Sequence, residues 1–273
     1  PFIVRSTFPT EEEQYQGYRR VLDKMEGRTV VFRTLDVGGD KALSYFPVDH
    51  GNNPFLGLRA LRFSLRNPAI FKQQLRALLR AAHGNPQARV MFPMVASLDE
   101  FLAARELARG CQRELEQEGV LNRMPELGVM IELPSAVMMA KELAAEADFL
   151  SIGSNDLIQY LLAVDRTNDD VADWFTPWHP AVLRAMAMIV AAAEQAGKPI
   201  SLCGNLGSDP QMLPFLLGIG LRTLSMDPMA IPAVQRRIEG IDLDLARYQA
   251  NKMLSFGHIE EVAEFLKTIV PAG

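Results

Sequence analysis

Gly128-Val129-Met130-Ile131-Glu132-Leu133-Pro134 and, one helix-length later, Asp148-Phe149-Leu150-Ser151-Ile152-Gly153-Ser154-Asn155-Asp156-Leu157 carry the strongest fold signal in the chain. Each is a short, continuous apolar run, which is how a strand buried on both faces of a parallel sheet reads. Each run leads into a carboxylate, Glu132 in the first and Asp156 in the second. Two carboxylates at the carboxyl ends of successive strands make a hard-cation site. That end is where an α/β barrel carries its chemistry.

Working outward, runs of the same kind occur at Phe2–Arg5, Thr29–Asp36, Arg89–Val95, Leu127–Leu133, Phe149–Gly153, Pro199–Cys203 and Thr223–Met226. The segments between them carry helix signals. Thr10-Glu11-Glu12-Glu13 and Ser97-Leu98-Asp99-Glu100 fit capping boxes, and Asn67-Pro68 fits an N-cap followed by proline at the first helical position. Leu98–Gly119 and Lys141–Ala147 keep apolar residues at helical spacing. After Met226 the pattern predicts helices over Pro232–Gly240, Leu243–Ser255 and His258–Val270.

Strand and helix alternating this often mean βα units on a parallel sheet, either doubly wound or closed into a barrel. The expected fold is a (β/α)8 TIM-type barrel with extra C-terminal helices, forming one domain over residues 1–273. The runs are one short of eight strands and the chain opens inside a strand. The first strand and helix of the barrel are therefore expected to be missing from this fragment; a seven-stranded or open sheet is the alternative.

Composition narrows the function classes. A formal net charge of −5 and a pI near 5.5 argue against a nucleic-acid surface, which needs a basic stripe. No apolar run reaches the roughly 18 residues of a membrane span, and the first residues lack the pattern of a signal peptide. Cys111 and Cys203 do not suggest a disulfide framework, which fits a reducing, cytoplasmic location.

Candidate ligand-binding groups cluster near strand ends. Arg5 ends the first run. Arg33 lies in V-V-F-R-T-L-D-V-G-G-D-K, with Lys41 beyond a Gly38-Gly39 turn whose backbone N–H groups can approach an anion. Arg59, in N-P-F-L-G-L-R-A-L-R, starts a helix, and Arg166 follows a long loop after Asn155-Asp156. An arginine in an apolar strand is costly unless it meets a buried anion. As a set on one barrel face, these point to a small ligand carrying both phosphate and carboxylate. Singly, each is explained equally well by an ion pair with an acid such as Asp36 or Asp40.

Glu132 and Asp156 read as ligands of magnesium or manganese, since oxygen donors without histidine or cysteine favour hard cations. A helix cap or a salt bridge is the plainer use of the same pair. Cys203 ends the run P-I-S-L-C and is followed by Gly204; a thiol there can exchange a proton with a bound carbon, although a lone buried cysteine is more often packing. His50, His83, His179 and His258 read as caps and surface groups, and none lies in a glycine-rich loop.

R-T-L-D-V-G-G-D-K, N-P-F-L-G-L-R, M-F-P-M-V, G-V-M-I-E-L-P, S-I-G-S-N-D-L-I-Q-Y-L-L-A-V-D-R-T-N and C-G-N-L occur in this order over nearly the whole chain. Together they resemble the phosphoenolpyruvate-binding C-terminal domain of Enzyme I of the bacterial phosphotransferase system. Pyruvate phosphate dikinase and phosphoenolpyruvate synthase share parts of the pattern but match less closely around N-P-F-L-G-L-R and A-V-D-R-T-N.

The resemblance implies that Arg5, Arg33 and Arg59 hold the phosphate of phosphoenolpyruvate, with Lys41 nearby. It implies that Glu132 and Asp156 ligate Mg²⁺, that Asn155 contacts the ligand, and that Arg166 binds its carboxylate. Cys203 becomes the acid that protonates the methylene carbon as pyruvate forms. In the family the phosphoryl group passes to a histidine in a T-S-H-type loop of a separate N-terminal domain, and from there to a histidine phosphocarrier in sugar transport. No such loop occurs here, so the fragment is expected to be inactive alone. The family also implies a homodimer.

The member type is left open among the sugar system, a nitrogen-related paralogue and a multi-domain fusion. Other readings are a regulatory module that senses phosphoenolpyruvate without turnover, and a metal-dependent aldolase or lyase on a related barrel. Two departures from the family pattern stand out. Arg5-Ser6-Thr7-Phe8 runs straight into Pro9-Thr10-Glu11, without the intervening residues usual there, and Asn205 stands where the family has glutamate.

Overall fold

A computed structural model of the chain describes residues 8–37 and 53–269. The expected first strand, Phe2–Arg5, and the Gly38-Gly39 turn with Lys41 and His50 lie outside the described residues. The chain forms two compact units that meet in sequence at Met130 and Ile131.

In the first unit, helix α1 (Glu11–Lys24) precedes strand β1 (Val30–Arg33). Helices α2 (Ala60–Arg66) and α3 (Pro68–Ala82) lead to β2 (Ala88–Phe92), and α4 (Leu98–Gln117) leads to β3 (Glu126–Ile131). The strands pair in parallel, Val30 opposite Ala88 and Arg89 opposite Glu126. Thr10 caps α1 with a complete capping box: its side chain accepts from Glu13 N and the Glu13 carboxylate accepts from Thr10 N. Ser97 likewise accepts from Glu100 N, but the Glu100 carboxylate accepts from Ala96 N rather than from the cap residue. Asn67 precedes Pro68 as expected, yet its side chain donates back to Phe63 O and caps nothing.

The core of this unit forms where apolar faces of α3 and α4 meet β2. Phe71 and Phe92 stack edge-on, as do Phe92 and Phe101, with ring centroids 6.1 Å apart in each pair. Complete burial of one such ring is worth roughly 1.5–3 kcal/mol. β1 is shorter than the apolar run that predicted it. Thr34 N still donates to Met91 O, but Leu35 N donates to the side chain of Gln74 on α3, so regular pairing ends there.

In the second unit, α5 (Pro134–Met138) and α6 (Ala140–Glu146) lead to β4 (Phe149–Gly153), which runs directly into α7 (Ser154–Leu162). After α8 (Pro180–Gln195) come β5 (Ile200–Cys203), α9 (Leu213–Gly218), the two-residue β6 (Leu224–Ser225), and helices α10 (Ile231–Glu239), α11 (Leu243–Ser255) and α12 (Ile259–Ile269). β4 pairs with β5 and β5 with β6, all in parallel. All five residues of β4 are buried, as its unbroken apolar run requires.

The stretch expected to be a long loop between Asp156 and Arg166 is instead mostly α7. Leu157 and Ile158 supply its buried face, and Ala163 ends it in the left-handed conformation. The architecture is α/β, built from parallel βα units with three helices at the C-terminal end.

Candidate functional site

The polar groups of the first unit follow β1. Thr34 N and Leu35 N are tied to β2 and α3, and Val37 O accepts from Ala60 N, so the segment carrying Asp36 is anchored on both sides. Asp36 is nearly inaccessible, its side chain 3% exposed, and it receives a two-pronged contact from Arg59: Nε to Oδ1 at 3.0 Å and Nη2 to Oδ2 at 3.3 Å.

Arg59 is the N-cap residue of α2, extended at φ −140° and ψ 150°. The following Ala60, at φ 51°, sits in the left-handed region that is costly for residues with a Cβ. The Arg59 guanidinium also lies 5.9 Å from the centre of the Phe55 ring. Arg33, by contrast, is 43% exposed and only loosely paired, its Nη2 3.7 Å from Asp36 Oδ2. The structure thus joins Arg33 and Arg59 through one shared acid. Asp36 appeared in the sequence only as a possible ion-pair partner; its position three residues after Arg33 in R-T-L-D was the available signal.

The second unit gathers Asn155, Asp156, Arg166 and Cys203 around the ends of β4 and β5. Cys203 is opposite Gly153 in the strand register. Its sulfur lies 3.4 Å from Ile152 O and 3.7 Å from Ser151 Oγ, and Ser201 Oγ is 3.1 Å from Ser151 Oγ. The first turn of α7 then grips the chain on either side of Gly204. Ser154 Oγ donates to Cys203 O at 2.9 Å, and Asn205 N donates to Asn155 Oδ1 at 3.1 Å. Gly204, at φ 106° and ψ −178°, adopts a conformation reserved essentially for glycine. A Cβ there would overlap Ser154 Oγ and come within 2.9 Å of Asn155 Oδ1. The Asn155 contact is made by the backbone N–H of Asn205, so it does not depend on the side chain at that position.

Glu132 follows β3 and is 2% exposed, and Asp156, in the first turn of α7, is also buried. Arg166 approaches Asp156 with Nη1 at 3.7 Å from Oδ1, an ion pair longer than a hydrogen bond. That same Nη1 is buried and has no hydrogen-bond partner. A buried guanidinium N–H without an acceptor is a position an anionic group would fill. Its backbone N–H donates to Gln159 Oε1, which fixes the turn after α7.

Among the described residues no group of three His, Cys, Asp or Glu side chains forms a metal cage. Glu132 and Asp156 are carboxylate oxygen donors, the type that Mg²⁺ takes, an ion typically held by one or two carboxylates and completed by phosphate oxygens and water.

Cys111 is a different kind of thiol. It is fully buried in α4, and burial pushes its pKa up to about 11. His179 accepts from Ala181 N through Nδ1 at the start of α8, a capping role as expected. A cavity of about 710 Å³ lined by Leu217, Leu224, Met226, Val234 and Ile238 contains none of the expected site residues.

Fold and side chains define a class: parallel βα proteins whose polar groups gather where strands end and helices begin. Residues 1–243 match the model of the PEP-utilising enzyme family, PEP-binding domain, and the chain belongs to that family. A phosphoenolpyruvate-protein phosphotransferase of Priestia megaterium is 43% identical over all of this chain and 48% of its own length. Another of that name from Enterococcus faecalis is 46% identical over 88% of this chain and 42% of its own. The chain spans about half the length of the curated relatives it matches. A citrate lyase structure from Burkholderia xenovorans aligns with a TM-score of 0.52, at 17% identity, over 93% of this chain and 78% of its own. That likeness shows the fold alone. Among the described residues no helix is long and apolar enough to cross a membrane.

Proposed function

We propose that this chain is the donor-site half of a phosphoenolpyruvate-protein phosphotransferase. It binds phosphoenolpyruvate with Mg²⁺ and yields the phosphoryl group to a histidine on a separate domain, leaving pyruvate. The observation that carries this reading is the family match over residues 1–243, with relatives of that name at 43–46% identity.

Arg33 and Arg59, with Arg5 and Lys41, are assigned to the phosphate. The Asp36 contact supports the assignment of Arg59, because it holds the guanidinium in one orientation before any ligand arrives. Arg166 is assigned to the carboxylate, which would give its buried Nη1 an acceptor. Asn155 is assigned to the ligand through its amide nitrogen, since its oxygen accepts from Asn205 N. Glu132 and Asp156 would hold Mg²⁺, which supplies charge neutralisation at phosphoryl oxygens.

Cys203 is the acid. As the phosphorus–oxygen bond to the enol oxygen breaks, the enolate remains. Its carbon–carbon π pair takes the thiol proton at the methylene carbon, and sulfur keeps the S–H pair as thiolate. A neutral thiol beside the carbon is needed for that step, whereas a nucleophilic thiolate is not.

In this reading residues 1–273 are one phosphoenolpyruvate-binding domain, the protein works in the cytoplasm as a homodimer, and a histidine phosphocarrier receives the phosphoryl group downstream. The test supplies the phosphohistidine domain in trans with Mg²⁺ and phosphoenolpyruvate. Phosphohistidine, read by ³¹P NMR, is expected with wild-type chain and not with Glu132→Ala, and pyruvate release is expected to be lost in Cys203→Ala. Tight phosphoenolpyruvate binding with no phosphohistidine would instead mark a sensing module.

A further inference from the structure

The strand register places a hydroxyl chain behind the thiol. Residues two apart on a strand share a face, so Ser151 and Gly153 on β4 face the same way, as do Ser201 and Cys203 on β5. Ser151 is opposite Ser201 and Gly153 is opposite Cys203. Because Gly153 offers no side chain, the Cys203 thiol turns to its diagonal neighbour, and Ser151 Oγ lies 3.7 Å from the sulfur. Ser201 Oγ donates to Ser151 Oγ at 3.1 Å, and the thiol reaches Ile152 O at 3.4 Å. Ser151 is almost wholly buried, 2% exposed, in a strand otherwise made of Phe, Leu, Ile and Gly. A buried hydroxyl there is costly unless hydrogen-bonded.

Ser151 Oγ donates to the sulfur, whereas the Ile152 carbonyl accepts from the thiol. The donation from Ser201 occupies a Ser151 lone pair, which leaves the Ser151 proton to point at sulfur and strengthens that bond.

We propose that Ser151, backed by Ser201, is a positioning residue for the acid Cys203: it orients the thiol and donates a hydrogen bond to the thiolate left after protonation of the enolate. This rests on the functional reading above. In the step, the C–H bond forms from the enolate π pair as the S–H bond breaks, and the thiolate keeps the S–H electron pair. Water returns a proton to sulfur before the next turnover. The hydroxyl proton of Ser151 stays on oxygen and shares itself with sulfur while the charge is there.

Two measurements separate this inference from the function it rests on. On the chain alone, alkylation by iodoacetamide, read at the Cys203 peptide by mass spectrometry, reports how well its surroundings stabilise the thiolate. Ser151→Ala is expected to slow that alkylation about threefold, because the thiolate fraction falls more than the nucleophilicity of a more basic thiolate rises. Ser201→Ala, which reaches the sulfur only through Ser151, is expected to slow it by less, and Ser151→Thr to restore it. With the phosphohistidine domain in trans, Ser151→Ala is expected to lower kcat for pyruvate release with KM for phosphoenolpyruvate within twofold of wild type. Alkylation of both alanine variants at the wild-type rate overturns the inference, whatever the chain's function. Slowed alkylation with unchanged pyruvate release overturns Cys203 as the acid and this role with it. Absence of pyruvate formation by the wild-type pair refutes the phosphotransferase reading itself.

Discussion

Gly204→Ala perturbs the turn that carries the thiol, and its cost follows from the geometry. At φ 106° and ψ −178° the backbone is in a region essentially confined to glycine, so an alanine there costs about 1–3 kcal/mol. The new Cβ would overlap Ser154 Oγ and press on Asn155 Oδ1, the two side-chain atoms that hold Cys203 O and Asn205 N. Losing each of those hydrogen bonds costs about 0.5–1.5 kcal/mol. The sum is about 2–6 kcal/mol, a large share of a domain's typical stability. Urea unfolding followed by circular dichroism is the assay, with a fall in the midpoint and an unchanged slope as the expected signature. A loss below about 1 kcal/mol would refute the clamp as drawn, because both the glycine-only conformation and the crowding would then be wrong.

Arg59→Ala leaves Asp36 buried without its two-pronged partner; removing one member of a buried ion pair costs about 3–5 kcal/mol, to be read by the same urea midpoint. The stability contributed by His179 depends on pH. Burial lowers its pKa from the ordinary 6.5, so the folded chain binds its proton less readily than the unfolded chain. The contribution is complete above about 6.5 and is lost as pH falls through the depressed folded value. The cost of His179→Ala in urea midpoint should therefore be larger at pH 7.5 than at pH 5; equal costs would exclude it as a titrating cap. Cys111, with its pKa raised to about 11 by burial, should resist iodoacetamide at pH 8 in the folded chain, while Cys203 reacts and both react in urea. Peptide mass spectrometry distinguishes the two thiols.

The parallel strands were legible because each is a continuous apolar run, and most helices were legible from their caps and periodicity. Thr10 and Glu13 form their capping box as the spacing requires. Expectations missed where a distant side chain decides the outcome. β1 ends early because Gln74, thirty-nine residues on, takes Leu35 N. α7 was hidden because β4 passes into it with no intervening turn residues, so one apolar run and one helix read as a run and a loop. In the candidate site, residue types singled out carboxylates, arginines and a thiol as candidates, but not the groups that touch them. Asp36 is an ordinary acid until Arg59 is seen folded onto it. Ser151, Ser154 and Ser201 carry no signal along the chain, because their roles depend on the register between β4 and β5 and on the first turn of α7.

Isothermal titration calorimetry of phosphoenolpyruvate into the chain, with and without Mg²⁺, tests the donor-site reading most directly. Saturable one-to-one binding is expected that requires Mg²⁺ and is lost in Glu132→Ala and Asp156→Asn variants that still fold. No pyruvate is expected to form in the calorimeter until a phosphohistidine domain is added. Binding that is indifferent to Mg²⁺ and to both carboxylates, or no binding by the folded wild-type chain, would contradict it.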